Sequence, residues 1–375
     1  MLSQINQELL TEILKRLPPK LLIQFKSVSK SWRSLITNPI FISIHTKHIL
    51  ENTTNKTSIL RHYSWSNKKE IYTIQESNQE LGFPFKSYSR FFDVIGSCNG
   101  VLCLSDTYHV FNHKIILWNP TIRKYVIVPV PCISSDQIFM FVLGFGFDPK
   151  SNEYKLVRIV YRMSNNGRNV DIRPRVEVYE LSKNAWRSSN SLTAPKYVIS
   201  ELSLQVFLNG AVHWIGYNPR QAGSDFRDPG VVLFDLSKEM FEEMMLPDSL
   251  RGLSVLDLSI LAYGKLLSLV EYTRNSPSQW MRYGSCSIWV MKEYGNVESW
   301  SKQFTIDLQA GVGKLLGIKN DEVMLMVESD GELVSYDSKN QSINHIGTKG
   351  IVKSFRLEAY VETLELLEFN SRTEK

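Results

Sequence analysis

A tight turn feeding a strongly apolar strand recurs along this chain at a near-constant interval. Asn99-Gly100 precedes VLCL, Asn209-Gly210 precedes AVHW, Gly264-Lys265 precedes LLSL and Asn320-Asp321 precedes EVMLM. Gly100 and Gly210 stand 110 residues apart, Gly210 and Lys265 55, and Lys265 and Asp321 56. One period near 55 covers the series if a unit near residue 155 has diverged. A second mark lies within each unit: an aromatic residue followed at once by a polar turn-former, with another apolar residue seven positions after the aromatic. It occurs as Trp118, Asn119 and Tyr125; Phe147, Asp148 and Tyr154; Tyr179, Glu180 and Trp186; Phe234, Asp235 and Phe241; and Tyr336, Asp337 and Ile343. Each mark reads as a hairpin with a polar loop, and Gly or Asn at the tight turns supplies the positive φ that two-residue hairpins need. A unit is therefore two hairpins, or four strands. So small a sheet covers its faces only by stacking on neighbours around a ring, which predicts a β-propeller.

The repeat places blades near 95–130, 140–190, 200–247, 255–306 and 312–347. A composite sixth pairs strands from 58–92 with FRLEAYVETLELL at 355–367, which would close the ring and remove open sheet edges. Six blades is the expected count; seven would follow if residues 56–92 supplied more strands, and a β-sandwich is the rival architecture.

The first fifty residues follow a different period. Leu9, Ile13 and Leu17 form one stripe of a helix that begins near Asn6, with Leu10 and Leu14 beside it, and Pro18-Pro19 end it. A second helix runs from about Lys20 to Val28, and a third starts after Ser29, carries Trp32, Leu35 and Ile36, and closes at Asn38-Pro39. Three short helices cannot bury that much apolar surface among themselves, and the stretch has no Cys and few metal ligands, so a protein partner is the economical reading. It carries seven Lys or Arg against Glu8 and Glu12, an excess of five, and the whole chain's excess is also five, so positive charge is concentrated here. That patch suits an acidic protein better than nucleic acid, because no aromatic stacking platform accompanies it. ENTTNKTS at 51–58 reads as a linker to a β domain at 59–368, and 369–375 as a disordered tail.

LLTEILKRLPPKLLIQFKSVSKSWRSLI resembles an F-box, the helical module that docks onto a Skp-type adaptor, in its plant form. The residues that carry the likeness are Leu17-Pro18, Lys20, Phe25, Val28, Ser29, Lys30, Trp32, Leu35, Asn38, Pro39 and Phe41. Ile5 and Asn6 stand where a Leu-Pro pair usually opens the box, Leu21 where Ser is common and Gln24 where Arg is common. Further along, LWNPTIRKYVIVP, GFGFDPKSNEYKLVRIV, VEVYELSKNAWR, LNGAVHWIG, LFDLSKEMFEEMMLP and SIWVMKEYGNVESWSKQFTI are similar, in order, to the recurring segments of the F-box-associated, kelch-like domain of plant F-box proteins, the group that includes S-locus F-box-like proteins. The resemblance implies an all-α F-box at 1–50, a substrate receptor of a Skp-cullin-F-box ubiquitin ligase, and partnership through the adaptor with cullin and RING subunits and with a target protein. Adaptor contact is expected from Ile5, Leu9, Ile13, Leu14, Pro18, Leu22, Val28 and Trp32. Target contact is expected from rim loops at 163–175, 216–230 and 272–284, with Arg168, Arg173, Arg220, Arg227, Trp280 and Tyr283 as the interface-type residues.

Other function classes find weaker support. His45 and His48 share a helix face without an acidic or Cys partner, His213 lies among apolar neighbours, Cys98 and Cys103 lack a second pair, and Gly144 and Gly146 lack the third glycine of a nucleotide loop. No GxSxG or HExxH motif occurs. The expectation is a non-catalytic chain without metal or cofactor, the alternatives being a propeller that binds protein or glycan without delivering it for degradation, and a propeller enzyme. Four Cys in 375 residues and no membrane-length apolar run suit cytoplasm or nucleus, with the sequons at Asn52, Asn55 and Asn340 idle there.

Overall fold

The computed structural model describes residues 7–52, 57–87, 90–106, 114–133, 138–162, 173–189, 195–219, 228–274, 283–308, 312–318 and 323–368. The chain opens with helices α1 (Gln7–Leu14), α2 (Pro19–Phe25), α3 (Lys30–Ile36) and α4 (Pro39–Asn52). Pro18-Pro19 both end α1 and start α2, Pro19 taking a first-turn position that needs no N–H donor. Ser29 caps α3 by accepting the Trp32 N–H at 3.1 Å, and Asn38 accepts the Ile40 N–H at the start of α4. Pro39 opens a fourth helix, the one that carries His45 and His48, and it shortens the expected linker: helix continues to Asn52 and strand begins at Thr57, with 53–56 outside the described residues.

Strands β1 (Thr57–Ser64), β2 (Lys69–Ile74) and β3 (Gln79–Leu81) come first in the β domain. Blade one is β4 (Asp93–Cys98), β5 (Val101–Asp106), β6 (Lys114–Asn119) and β7 (Lys124–Val128); blade two is β8 (Ile138–Asp148), β9 (Glu153–Arg162), β10 (Arg175–Glu180) and β11 (Ala185–Ser188). Blade three holds β12 (Val198–Ile199), β13 (Val206–Leu208), β14 (Ala211–Tyr217), β15 (Pro229–Asp235) and β16 (Met240–Met244), with β12 and β13 sharing the inner edge of β14. Blade four is β17 (Leu258–Tyr263), β18 (Leu266–Arg274), β19 (Tyr283–Met291) and β20 (Trp300–Asp307), and blade five β21 (Val312–Ile318), β22 (Val323–Glu328), β23 (Glu332–Asp337) and β24 (Ser342–Lys349). The last strand, β25 (Arg356–Tyr360), pairs antiparallel with β1 and completes a sixth sheet in the order β25-β1-β2-β3. The fold is thus a helical module followed by a six-bladed β-propeller whose sixth blade joins both ends of the domain.

The two sequence marks have a common structural meaning. In every aromatic mark the first and last residues face each other across a hairpin: Trp118 and Tyr125, Phe147 and Tyr154, Tyr179 and Trp186, Phe234 and Phe241, Tyr336 and Ile343. In four of them the polar residue after the aromatic folds back to accept a backbone N–H two residues on: Asn119 from Thr121, Asp148 from Lys150, Asp235 from Ser237 and Asp337 from Lys339. At Asn99-Gly100 and Asn209-Gly210 both central residues have positive φ, as a type I′ hairpin requires. Asn320-Asp321 lie outside the described residues.

Packing tightens toward the axis, where inner strands of neighbouring blades converge. A Cβ on Gly144 would lie 2.4 Å from Trp214, and one on Gly146 2.3 Å from Phe207. These glycines of β8 admit rings from blade three; they are not remnants of a nucleotide loop. Trp214 cannot retreat, because its indole N–H is bonded to the Leu143 carbonyl at 3.2 Å. The apolar core is likewise divided among the seams between blades. Cys98, Cys103 and Cys286 are buried free thiols, and Cys132 is exposed.

His213 is a structural residue. It is fully buried, one ring nitrogen meets the Val206 carbonyl at 3.1 Å and the other the Tyr294 hydroxyl at 2.7 Å, and burial lowers its pKa to about 4.

Two outcomes are expected in urea unfolding. Gly144→Ala should lose ~1–3 kcal/mol to overpacking, whereas Gly252→Ala, with nothing within 4 Å of the added carbon, should lose none. His213→Gln should be less stable than wild type at pH 7, and the gap should narrow by about 1–2 kcal/mol at pH 5. A base with a lowered folded pKa contributes stability above its unfolded value near 6.5, and loses it as pH falls through the folded value near 4.

Candidate functional site

In an up-and-down blade the turns joining strands one to two and three to four leave from one end of the sheet, and the other connections leave from the opposite end. This sorts the molecule into two faces. The Asn-Gly turns and the aromatic-mark hairpins share the first face. So do the start of β1 and the end of β25, since Thr57 pairs with Tyr360. The helical module and the final segment 361–368 therefore meet on the turn face.

Their contact is specific. Leu364 and Leu367 enter the cluster of Leu14, Leu22, Ile36, Phe41 and Ile42, joined by Ile122 from the hairpin between β6 and β7. Lys20 pairs with Glu362 at 2.7 Å, and the Thr46 hydroxyl donates to Glu365 at 2.7 Å. His45 is buried beneath, within 3.0 Å of the Leu17 carbonyl, so it ties α4 to the turn between α1 and α2. The segment is anchored in turn to the propeller. Asn119 donates to the carbonyls of Thr363 and Glu365 at 3.1 and 2.9 Å, and Thr363 donates to the Asn99 carbonyl at 2.8 Å. Burial raises the Glu365 carboxyl above its ordinary range.

This arrangement redistributes the residues read as adaptor contacts. Leu14 and Leu22, 1% and 0% exposed, are consumed by packing on the C-terminal segment and do not face outward. Trp32 is half-buried, its ring edge-on to Phe25 at 5.4 Å. Leu9, Ile13 and Val28 remain 56%, 48% and 62% exposed, and Pro18 is exposed beside them in sequence. Ile40, at 70%, joins this set and was missed, because Pro39 was read as a terminator when it is the first residue of α4. Ile5 lies outside the described residues. The distinction follows from tertiary contact: α1 has apolar residues on two sides, and only the C-terminal segment decides which side is covered.

The opposite face carries the connections between second and third strands. Those containing 107–113, 163–172, 220–227 and 275–282 depart from it. Arg168, Arg220, Arg227 and Trp280 fall outside the described residues. Arg173 is exposed just before β10. Tyr283 is a correction: it belongs to β19, packs on Tyr272 at 4.6 Å and donates to the Leu256 carbonyl, so it serves the blade and not a loop tip. Exposed apolar side chains that sequence reasoning missed also belong to this face: Trp65 at the turn after β1, Val130 after β7 and Phe139 at the start of β8.

Between the faces runs a central cavity of about 240 Å³, lined by the inner strands β4, β13, β17, β21 and β25 and the residues before β13. Gln205 lies in this lining. Its amide accepts the Phe145 N–H at 2.6 Å and donates to the Phe145 carbonyl at 2.9 Å, doing for β8 what a neighbouring strand would do.

The expected consequence is that Leu364→Ala, Leu367→Ala frees the helical module while the propeller persists. Amide exchange should rise in α1–α3 and stay unchanged in β5 and β14, with a cost of ~2–5 kcal/mol per buried leucine falling on the module.

Comparison with known proteins agrees with this division. A model of the F-box domain matches residues 2–43, and a model of the F-box associated beta propeller domain matches residues 51–370. Among curated relatives, an F-box/kelch-repeat protein of Arabidopsis thaliana is 26% identical, covering 95% of this chain and 94% of its own. A second Arabidopsis F-box protein is 28% identical over 97% of this chain and 92% of its own, and the Arabidopsis F-box protein CPR1 is 25% identical over 97% and 89%. A helical module seated on the turn face of a six-bladed ring, with both parts matched in order along nearly the whole sequence, identifies this chain as a member of the plant F-box family with an F-box-associated β-propeller domain.

Proposed function

We propose that this chain is the substrate-recognition subunit of a Skp-cullin-F-box ubiquitin ligase. The observation that carries the reading is the opposition of the two faces. The F-box sits on the turn face with Leu9, Ile13, Val28 and Ile40 uncovered, while the long inter-strand connections leave from the other face. Leu9 and Ile13, four residues apart on α1, form one apolar stripe of the kind that packs into a partner helix groove. Lys30 and Arg33 on α3 are exposed and suit an acidic adaptor. Cullin and RING subunits would then join through that adaptor.

Such a receptor performs no bond chemistry. It raises the effective concentration of the target's lysines beside a transferase carried elsewhere in the assembly. This requires a fixed geometry between adaptor and target, and the C-terminal segment supplies it by clamping the F-box to the ring through Lys20–Glu362, Thr46–Glu365 and the Leu364 cluster. A module on a loose tether would present targets at no defined distance. The target is expected on the loop-bearing face, where Trp65 and Phe139 offer aromatic anchors. Within a plant cell this work belongs in cytoplasm or nucleus, and no helix among the described residues is long and apolar enough to cross a membrane.

The test is co-purification of the full chain with a plant Skp-type adaptor and cullin. Wild type should retain both. Leu9→Asp, Ile13→Asp should lose them while keeping a native unfolding profile, since about half of each side chain already faces solvent and neither belongs to the buried cluster. Trp65→Ala, Phe139→Ala should bind adaptor as wild type does and lose target capture. A folded wild type that binds no Skp-type adaptor would overturn the reading.

A further inference from the structure

Three cations gather at one end of the central cavity. Arg356 opens β25 and stands directly opposite Arg61 of β1, so the two side chains project from the same face of the sixth blade. Lys314, near the start of β21 on the neighbouring blade, lines the cavity together with Arg356, Glu358, Ser97 and Ser58. Inner strands begin at the loop-bearing face, so this cluster lies toward that mouth of the channel.

Glu70 stands against Arg61, and Glu358 and Asp93 against Arg356, but none of these carboxylates acts on Lys314. Arg61 is buried, donates to the Ser354 carbonyl and lies 3.8 Å from Glu70, yet its Nε has no hydrogen-bond partner among the described residues. Glu70 is itself occupied by the Tyr72 hydroxyl and the Phe92 N–H, and burial raises its pKa to about 7. Glu358 is drawn to Arg356 and to the Ser97 N–H, and burial raises it also to about 7. Among the described residues Lys314 has no ion pair: burial, together with repulsion from Arg356 and Arg61, lowers its ammonium to about 8. An ammonium turned into a channel with only other cations as charged neighbours is unfavourable unless an anion or water compensates it.

We propose that the channel seats a small anionic group, a carboxylate or phosphate, between Lys314 and Arg356. At about 240 Å³ the cavity falls below the ~300–1,000 Å³ of drug-sized sites, so the occupant is a single compact group with some water. The site opens toward the face assigned above to the target. The same chemistry could therefore come from an acidic side chain of a bound protein or from a free small anion.

The experiment is calorimetric titration of the full chain with inorganic phosphate, with succinate and with a synthetic hexapeptide rich in Asp and Glu. Saturable one-to-one binding is expected, weakened about tenfold or more in Lys314→Met and largely kept in Lys314→Arg. Tighter binding of the peptide than of phosphate assigns the anion to a protein, and the reverse to a free metabolite; either upholds the site. Should Lys314→Met fail to fold, acetylation of wild type read by mass spectrometry decides: phosphate should shield Lys314 and leave the exposed Lys150 unchanged. Absence of saturable binding by all three probes, undiminished affinity in Lys314→Met, or unaltered acetylation of Lys314 would overturn the proposal. Adaptor co-purification should be the same for wild type and Lys314→Met. A chain that binds adaptor but no anion overturns this inference alone, and one that binds anion but no adaptor overturns the receptor reading alone.

Discussion

The pairing of β25 with β1 is the interaction on which the rest of the molecule depends. Five residues near the C-terminal end, Arg356 to Tyr360, meet Thr57 to Arg61 almost three hundred positions earlier, and that ladder turns an open row of blades into a closed ring. An open row would leave exposed sheet edges at both ends and an uncovered apolar face on the first and last blades. Closure also brings the two ends of the β domain side by side on one face. The F-box enters just before Thr57 and the segment 361–368 leaves just after Tyr360, so each lies within reach of the other. The seat of the F-box is thus a by-product of ring closure.

Convergence of six sheets on one axis sets the second constraint. Near the axis there is room for backbone and little else, which is why Gly144 and Gly146 stand where Trp214 and Phe207 need space. Where the inner edge of blade three is divided between β12 and β13, the Gln205 amide fills the missing pairing for Phe145. The same geometry makes the channel a place where polar groups have few neighbours. Charged side chains there interact mainly with one another across a narrow gap, and Lys314, Arg356 and Glu358 owe their shifted ionisation to that confinement.

The up-and-down order of strands separates labour without any further device. Two-residue Asn-Gly turns and four-residue aromatic-mark hairpins hold the register on one face, and their rigidity suits a seat for the F-box. On the other face the second-to-third connections of the first four blades, those containing 107–113, 163–172, 220–227 and 275–282, are longer, and connections of that kind vary in length and composition while the blades stay fixed. Asn119 shows how closely the first face is organised: one side chain caps its own turn through Thr121 and holds the carbonyls of Thr363 and Glu365.

Much of this was legible in the sequence because it is local. Short apolar runs, Asn-Gly turns, the seven-residue aromatic spacing and the capping residue Ser29 act within a few positions of one another, and a repeat of such signals dictates blades and their number. Even the composite sixth blade followed, since a ring has to close. Tertiary structure alone decided which residues of the helical module are spent internally. Leu9 and Leu14 have the same character in the sequence, yet Leu14 is covered by Leu364 and Leu367 from the far end of the chain and Leu9 is not. That His213 is a core residue was legible from its apolar neighbours, but its partner Tyr294, and the rings of Trp214 and Phe207 that the glycines of β8 admit, lie on adjoining blades and were not. Burial depends on what arrives from distant positions, and no periodicity records that; the fold was set by nearest neighbours along the chain, and the use of each surface by nearest neighbours in space.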